Sequence, residues 1–136
     1  MKKTFLDANI LIDLVSPERP NHSYIRDFLY STSIKNLYIS SLSVHIAFYV
    51  LKIRPNTKKF DYMKTFLGDI MILPLTESLI KKSMSIPYSD FEDCLQYFSA
   101  LNNCDYILTR DKRDFEKIKK LYPSKIKIVS NPKDIK

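Results

Sequence analysis

The chain has 136 residues, 45% hydrophobic and 27% charged, with a formal net charge of +7. That length accommodates one domain, able to bury roughly two-thirds of its unfolded surface without disulfides or structural metals. A single glycine excludes a Gly-rich phosphate loop and flexible linkers, and Cys94 and Cys104 as the only cysteines exclude a zinc site.

In chain order, residues 3–6 (KTFL) predict a short buried strand running into Asp7, after which Ile10, Leu11, Leu14 and Val15 recur at helical spacing. Pro17 and Pro20 interrupt that helix, and Tyr24, Phe28 and Leu29 predict a second one opening near residues 19–21. LYIS at 37–40 predicts a strand, and residues 42–52 an apolar helix ended by Arg54-Pro55. Residues 58–67 predict an amphipathic helix with Gly68 at its C-cap, followed by a strand over 70–75 (IMILPL). Helices over 76–84 and 90–102, a strand over 106–108, a helix over 115–121 and a strand over 126–129 complete the series. The tail from Ser130 is expected to fray.

Strands alternating with helices imply βαβ units, hence a single α/β domain over 1–136 in three layers, its mainly parallel central sheet flanked by helices. No apolar run approaches the ~20 residues that span a bilayer, and Asp7 follows Lys2 and Lys3 too closely for a secretory signal. The expectation is a soluble cytoplasmic protein with no membrane association and reduced thiols. Between Arg110 and Lys136 stand ten Lys or Arg against four acids, a local +6 suited to a polyanion such as RNA or simply to a solvated helix face.

In open parallel sheets ligands bind beyond the carboxyl ends of the strands. Asp7 follows the first strand and Asp111 the strand over 106–108, so both fall at one edge. Carboxylates gathered there repel, which costs stability unless a cation or hydrogen bonds compensate. Oxygen ligands without cysteine favour Mg2+ or Mn2+, and such an ion can activate water against a phosphodiester. His22 has no triad companion and the serines lack nucleophile-elbow glycines, which argues against serine or cysteine hydrolysis.

The segments FLDANILIDL and DFEDCLQYFSALNNCDYILTRDKRDF, in this order and at this chain length, resemble the PIN-domain family. The resemblance implies a metal-dependent endoribonuclease, a hydrolase of phosphodiester bonds, many of whose relatives are toxins of bacterial toxin–antitoxin pairs. It implies that Asp7, Asp93 and Asp111 are catalytic metal ligands, with Asp114 as a further metal candidate; Asp90, three positions before Asp93 on the same helical face, is a secondary metal candidate by spacing. Asn9, Thr109 and Arg110 then lie beside the pocket, Thr109 hydrogen-bonding a carboxylate and Arg110 contacting phosphate. RNA, an antitoxin protein and a second copy of the chain are the implied partners.

One departure stands out. The family places a glutamate near the start of the helix in a stretch like ISSLSVHIAFYVL, where this chain has Ile46, and no acid occurs between Asp27 and Asp61. His45 is one position off, about 100° around a helix, and is expected to be a partly buried, satisfied histidine. The alternative reading is therefore a degenerate PIN module that binds RNA or a protein without cleavage.

Plainer roles exist for individual acids. Asp7 and Asp111 sit where N-caps would, Ser89 and Glu92 fit a capping box, and Asp13, Asp27, Asp61, Asp69, Glu77 and Asp105 are expected at solvent-facing or turn positions. A receiver-like domain also gathers acids, but no phosphoacceptor aspartate ends the IMILPL strand.

Overall fold

Period-two alternation in short strands sends successive side chains to opposite faces of a sheet, and each face is buried by helices. The computed structural model describes residues 2–31 and 36–135. Its strands are β1 (Thr4–Leu6), β2 (Leu37–Ser40), β3 (Met71–Leu73), β4 (Tyr106–Leu108) and β5 (Lys127–Val129). Between them lie α1 (Ala8–Leu14) and α2 (His22–Ser31), α3 (Ser41–Leu51) and α4 (Lys58–Leu67), α5 (Glu77–Met84) and α6 (Phe91–Leu101), and α7 (Lys112–Leu121). All strand pairings are parallel, in the order β3-β2-β1-β4-β5.

Leu6, Leu37, Ile39, Tyr106 and Leu108 face a core shared with α1, α2, Ala47 of α3 and Met63 of α4. Phe5, Ile107 and Ile128 face the other core, with Cys94, Tyr97 and Phe98 of α6 and Phe115 and Ile118 of α7. The α/β class with three layers read from the alternation is the architecture observed, and the sheet is parallel throughout.

The register sets the site. Leu6 pairs with Leu108, and the Asp7 N–H donates to the Leu108 carbonyl at 3.0 Å, so residues 7 and 109 emerge side by side. The chain leaves β1 toward β2 and leaves β4 toward β5, which makes this the topological switch point where a crevice opens.

Several local expectations are corrected. The strand expected over 70–75 shortens to Met71–Leu73, because Pro74 has no N–H to give the ladder. Gly68 does cap α4, but with φ −67 it is right-handed; the left-handed cap is Lys52 at φ 51, ending α3. α7 begins three residues before Phe115, at Lys112. His45 is exposed rather than partly buried. The tail does not fray where described: Pro132 is buried in a 3-10 turn (Pro132–Asp134) capped by Asn131, whose side chain also accepts from the Tyr24 hydroxyl. Lys136 lies outside the described residues.

Phe115, fully buried, ties α7 to the sheet beneath Asp111. Phe115→Ala is expected to lower unfolding free energy by roughly 3–5 kcal/mol through the cavity it leaves. Urea denaturation with an unchanged m-value checks this; a loss below about 1 kcal/mol would mean α7 is not anchored as described.

Candidate active site

Each of three consecutive residues after β4 holds one residue of the β1–α1 segment. The Thr109 hydroxyl donates to Asp7 Oδ2 at 2.7 Å, and it accepts from the Asp111 N–H at 2.9 Å. Asn9 Nδ2 donates to Asp111 Oδ2 at 2.9 Å. Arg110 Nε lies 3.1 Å from Asp13 Oδ2. The site's frame is thus a ladder of side chains continuing the β1–β4 pairing past the last backbone rung.

Asp7 is buried, and its other oxygen accepts from the Ala8 N–H at 2.8 Å, so it also caps α1. The capping role and the pocket role coexist in one carboxylate. Burial pushes its pKa up to about 6; the Thr109 and Ala8 hydrogen bonds pull against this, and the charges of Asp111 and Glu92 add to it.

Asp93 enters from the first turn of α6 and is buried. Burial, then Asp90, then Asp7 and Asp111 hold its carboxyl well above the usual carboxylate range. Asp111 is exposed at the N-cap position of α7, yet its side chain bonds Asn9 rather than its own helix. The structure therefore brings Asp7, Asp93 and Asp111 into mutual electrostatic contact from three separate segments.

The other candidates fall around them. Asp90, not Ser89, is the N-cap of α6, accepting from the Asp93 N–H at 3.1 Å. That overturns the capping box assigned to Ser89 and Glu92. Glu92 is raised by its own burial and by Asp90, and its charge reaches Asp7. Asp114 lies against the Tyr88 hydroxyl, which burial and that carboxylate push up to about 12.

Arg110 is not simply a free phosphate contact, because its Nε is committed to Asp13. Asp13 was expected to face solvent; its side chain is 1% exposed, with Arg19 Nε at 3.3 Å as well. The sequence shows no amphipathic stripe in α1 that would reveal this, since the helix is buried nearly all round. The Arg110 side chain remains 39% exposed despite that ion pair.

A polar network that sequence reasoning missed lies one helical turn past Asp93. Gln96 accepts from Ser40 Oγ at 2.6 Å and donates to Ser43 Oγ at 2.6 Å, all three fully buried. It binds α6 to the start of α3. Ile46, where the resembled family carries its glutamate, is partly buried and packs against the apolar core. Among the described residues no three His, Cys, Asp or Glu side chains are already placed to ligate one ion. An ion held by one or two carboxylates and completed by water fits this oxygen-only donor set, because it would stabilise the charged forms that burial, and after it the neighbouring acids, disfavour at Asp7 and Asp93.

The chain belongs to the PIN-domain family, whose model matches residues 4–121. It resembles ribonuclease VapC1 of Aquifex aeolicus (strain VF5), 29% identical over 121 residues that cover 82% of this chain and 83% of the relative. Its fold is shared by solved structures, of which two serve as examples. One is Mycobacterium tuberculosis VapC20, a Sarcin-Ricin loop cleaving toxin, at TM-score 0.64 and 12% identity over 85% of this chain and 94% of that one. The other is VapBC2 of Rickettsia felis bound to a promoter DNA fragment, at TM-score 0.65 and 14% identity over 93% and 96%. No helix among the described residues is long and apolar enough to cross a membrane.

The raised carboxyls make stability pH-dependent in a defined direction. Below the ordinary carboxyl value of 3.8 folded and unfolded chains are both protonated at Asp7; between there and about 6 the folded chain keeps a proton the unfolded chain has already lost, and it must give that proton up as pH climbs further. Stability of the metal-free protein is therefore expected to fall from about pH 4 to pH 8, Asp7 contributing on the order of 3 kcal/mol between about 3.8 and 6 and Asp93, pushed up to about 8, extending the fall in the same sense. Thermal unfolding in EDTA should show this, and Asp7→Asn should flatten the slope. A wild-type midpoint that rises over the same interval would contradict the assignment.

Proposed function

We propose that this chain is a divalent-metal-dependent endoribonuclease, the toxin of a toxin–antitoxin pair, acting through Asp7, Asp93 and Asp111 with Mg2+ or Mn2+. The observation that carries the proposal is the convergence of these three carboxylates at the switch point of a parallel sheet, two of them buried and held above their ordinary pKa. Bound there, such an ion would supply a more nucleophilic water and neutralise charge at the scissile phosphate.

The chain's own residues would have distinct tasks. Thr109 and Asn9 fix the directions of the Asp7 and Asp111 carboxylates. Asp90 and Glu92 add negative charge at the rim, which strengthens cation binding. Asp114, facing Tyr88, would act from further out. Arg110, anchored by Asp13, has a side chain exposed enough to offer a phosphate oxygen a contact. The similarity to ribonuclease VapC1 supports RNA as substrate, and the VapBC2 likeness supports an antitoxin partner. A homodimer and cytoplasmic residence, implied by the family resemblance, belong to the same proposal.

The second reading, a PIN module that binds without cutting, draws on Ile46 packing against the core where an acid would stand. Cleavage separates the two. With either ion a mixed RNA pool should be cut at discrete positions, EDTA should stop it, and Asp7→Asn, Asp93→Asn or Asp111→Asn should each slow it at least roughly 100-fold. RNA left intact by the wild type, indistinguishable from Asp7→Asn, would sink the nuclease reading. Salt-dependent RNA binding unaffected by Asp93→Asn would then favour the module.

A further inference from the structure

The edge of the sheet opposite the acids is basic. A cavity of about 400 Å3 opens at the start of β4 and β5, and its lining includes Lys2, Lys82, Lys125 and Lys127. One carboxylate, Asp105, also lines it, and that group already accepts from the Lys3 backbone N–H at 3.0 Å. Among the described residues, none of these four lysines belongs to an ion pair. Instead Lys82 Nζ lies 4.8 Å from the Tyr122 ring centroid and 5.2 Å from that of Phe98, and Lys127 Nζ lies 5.8 Å from that of Tyr106. Ring faces orient an ammonium without neutralising its charge.

α7 joins this cavity to the acidic edge. It starts immediately after Asp111 and ends immediately before Tyr122, and its ten residues make about 15 Å of helix. Phe115 and Ile118 are buried on its inner side, whereas Arg113, Lys117 and Lys120 are exposed. Their i, i+4, i+7 spacing puts them in one outward stripe.

We propose that RNA held at the acidic edge runs along the Arg113–Lys117–Lys120 stripe and seats a backbone phosphate in the lysine cavity. The inference rests on the RNA-directed reading above, which it extends to a second contact site. A line of cationic groups that ends at the partly exposed Tyr122 ring suits a single strand, which needs phosphate neutralisation along its length and an aromatic surface near a base. An acidic protein partner is the competing occupant.

The test is fluorescence anisotropy in EDTA, so that nothing is cut, with a labelled oligouridine long enough to span both edges. Lys117→Gln/Lys120→Gln/Lys125→Gln/Lys127→Gln, all exposed positions, is expected to bind at least about tenfold more weakly at moderate salt, with a log K against log salt slope reduced by about 3. Lys58→Gln/Lys64→Gln, exposed on α4, should leave both unchanged, and equal melting temperatures establish that all variants fold. An unchanged slope in the quadruple variant, an equal loss in the α4 variant, or equally tight capture of polyglutamate would overturn the proposal. The nuclease reading is judged separately. Ion-dependent cutting of an RNA too short to reach the cavity should survive the four substitutions; its absence in wild type with the binding loss intact leaves the track standing and removes the nuclease.

Discussion

The hydroxyl of Thr109 is the interaction on which the acidic edge depends. It can sit between Asp7 and the Asp111 N–H only because the Leu6–Leu108 pairing places residues 7 and 109 side by side. Sheet register, a property of backbone hydrogen bonding, is thereby converted into the position of a carboxylate. Asn9 and Arg110 repeat the connection on either side, so a turn of three residues is gripped by a segment about a hundred positions away in sequence. Carboxylates held this way cannot relax apart, and their repulsion persists as a cost of the fold.

That cost has a recognisable form. Burying Asp7 and Asp93 among other acids favours their protonated states, which is opposite to what folding stability at neutral pH would select. Groups destabilised in this way concentrate at functional sites because a ligand can repay the penalty. Asp13 provides the contrast: it is equally buried, but Arg19 and Arg110 face it, so it serves as an anchor. Acids at one end of the strands and lysines at the other also give the molecule a directional field that would orient a polyanion before contact.

Much of this was legible in the residues. Asp7 and Asp111 could be placed because Asp7 directly follows one short apolar run and Asp111 lies three positions past another, and the strand-end rule then puts them together. Asp93 was less determined by pattern, since any acid in the first turn of a helix has a capping explanation, and the PIN resemblance distinguished it from its neighbours. Asp13 was missed because α1 is enclosed on nearly every side; its partner Arg110 lies 97 positions on, beyond the reach of local periodicity. Gln96 escaped for the same reason, its partners Ser40 and Ser43 being 56 and 53 positions away. Capping at Asp90 rather than Ser89 was a choice of one residue between two good cap formers, decided by where α6 meets the sheet rather than by propensity.

The central claim is that the acids of this edge act as one cation pocket despite the apolar Ile46. Isothermal calorimetry with Mn2+ at moderate salt, on wild type, Asp7→Asn and Asp93→Asn, addresses it without reference to any RNA. The account predicts saturable binding by the wild type, accompanied by proton release below neutral pH, that either substitution abolishes. Binding that survives both substitutions, or none by the wild type, would contradict it.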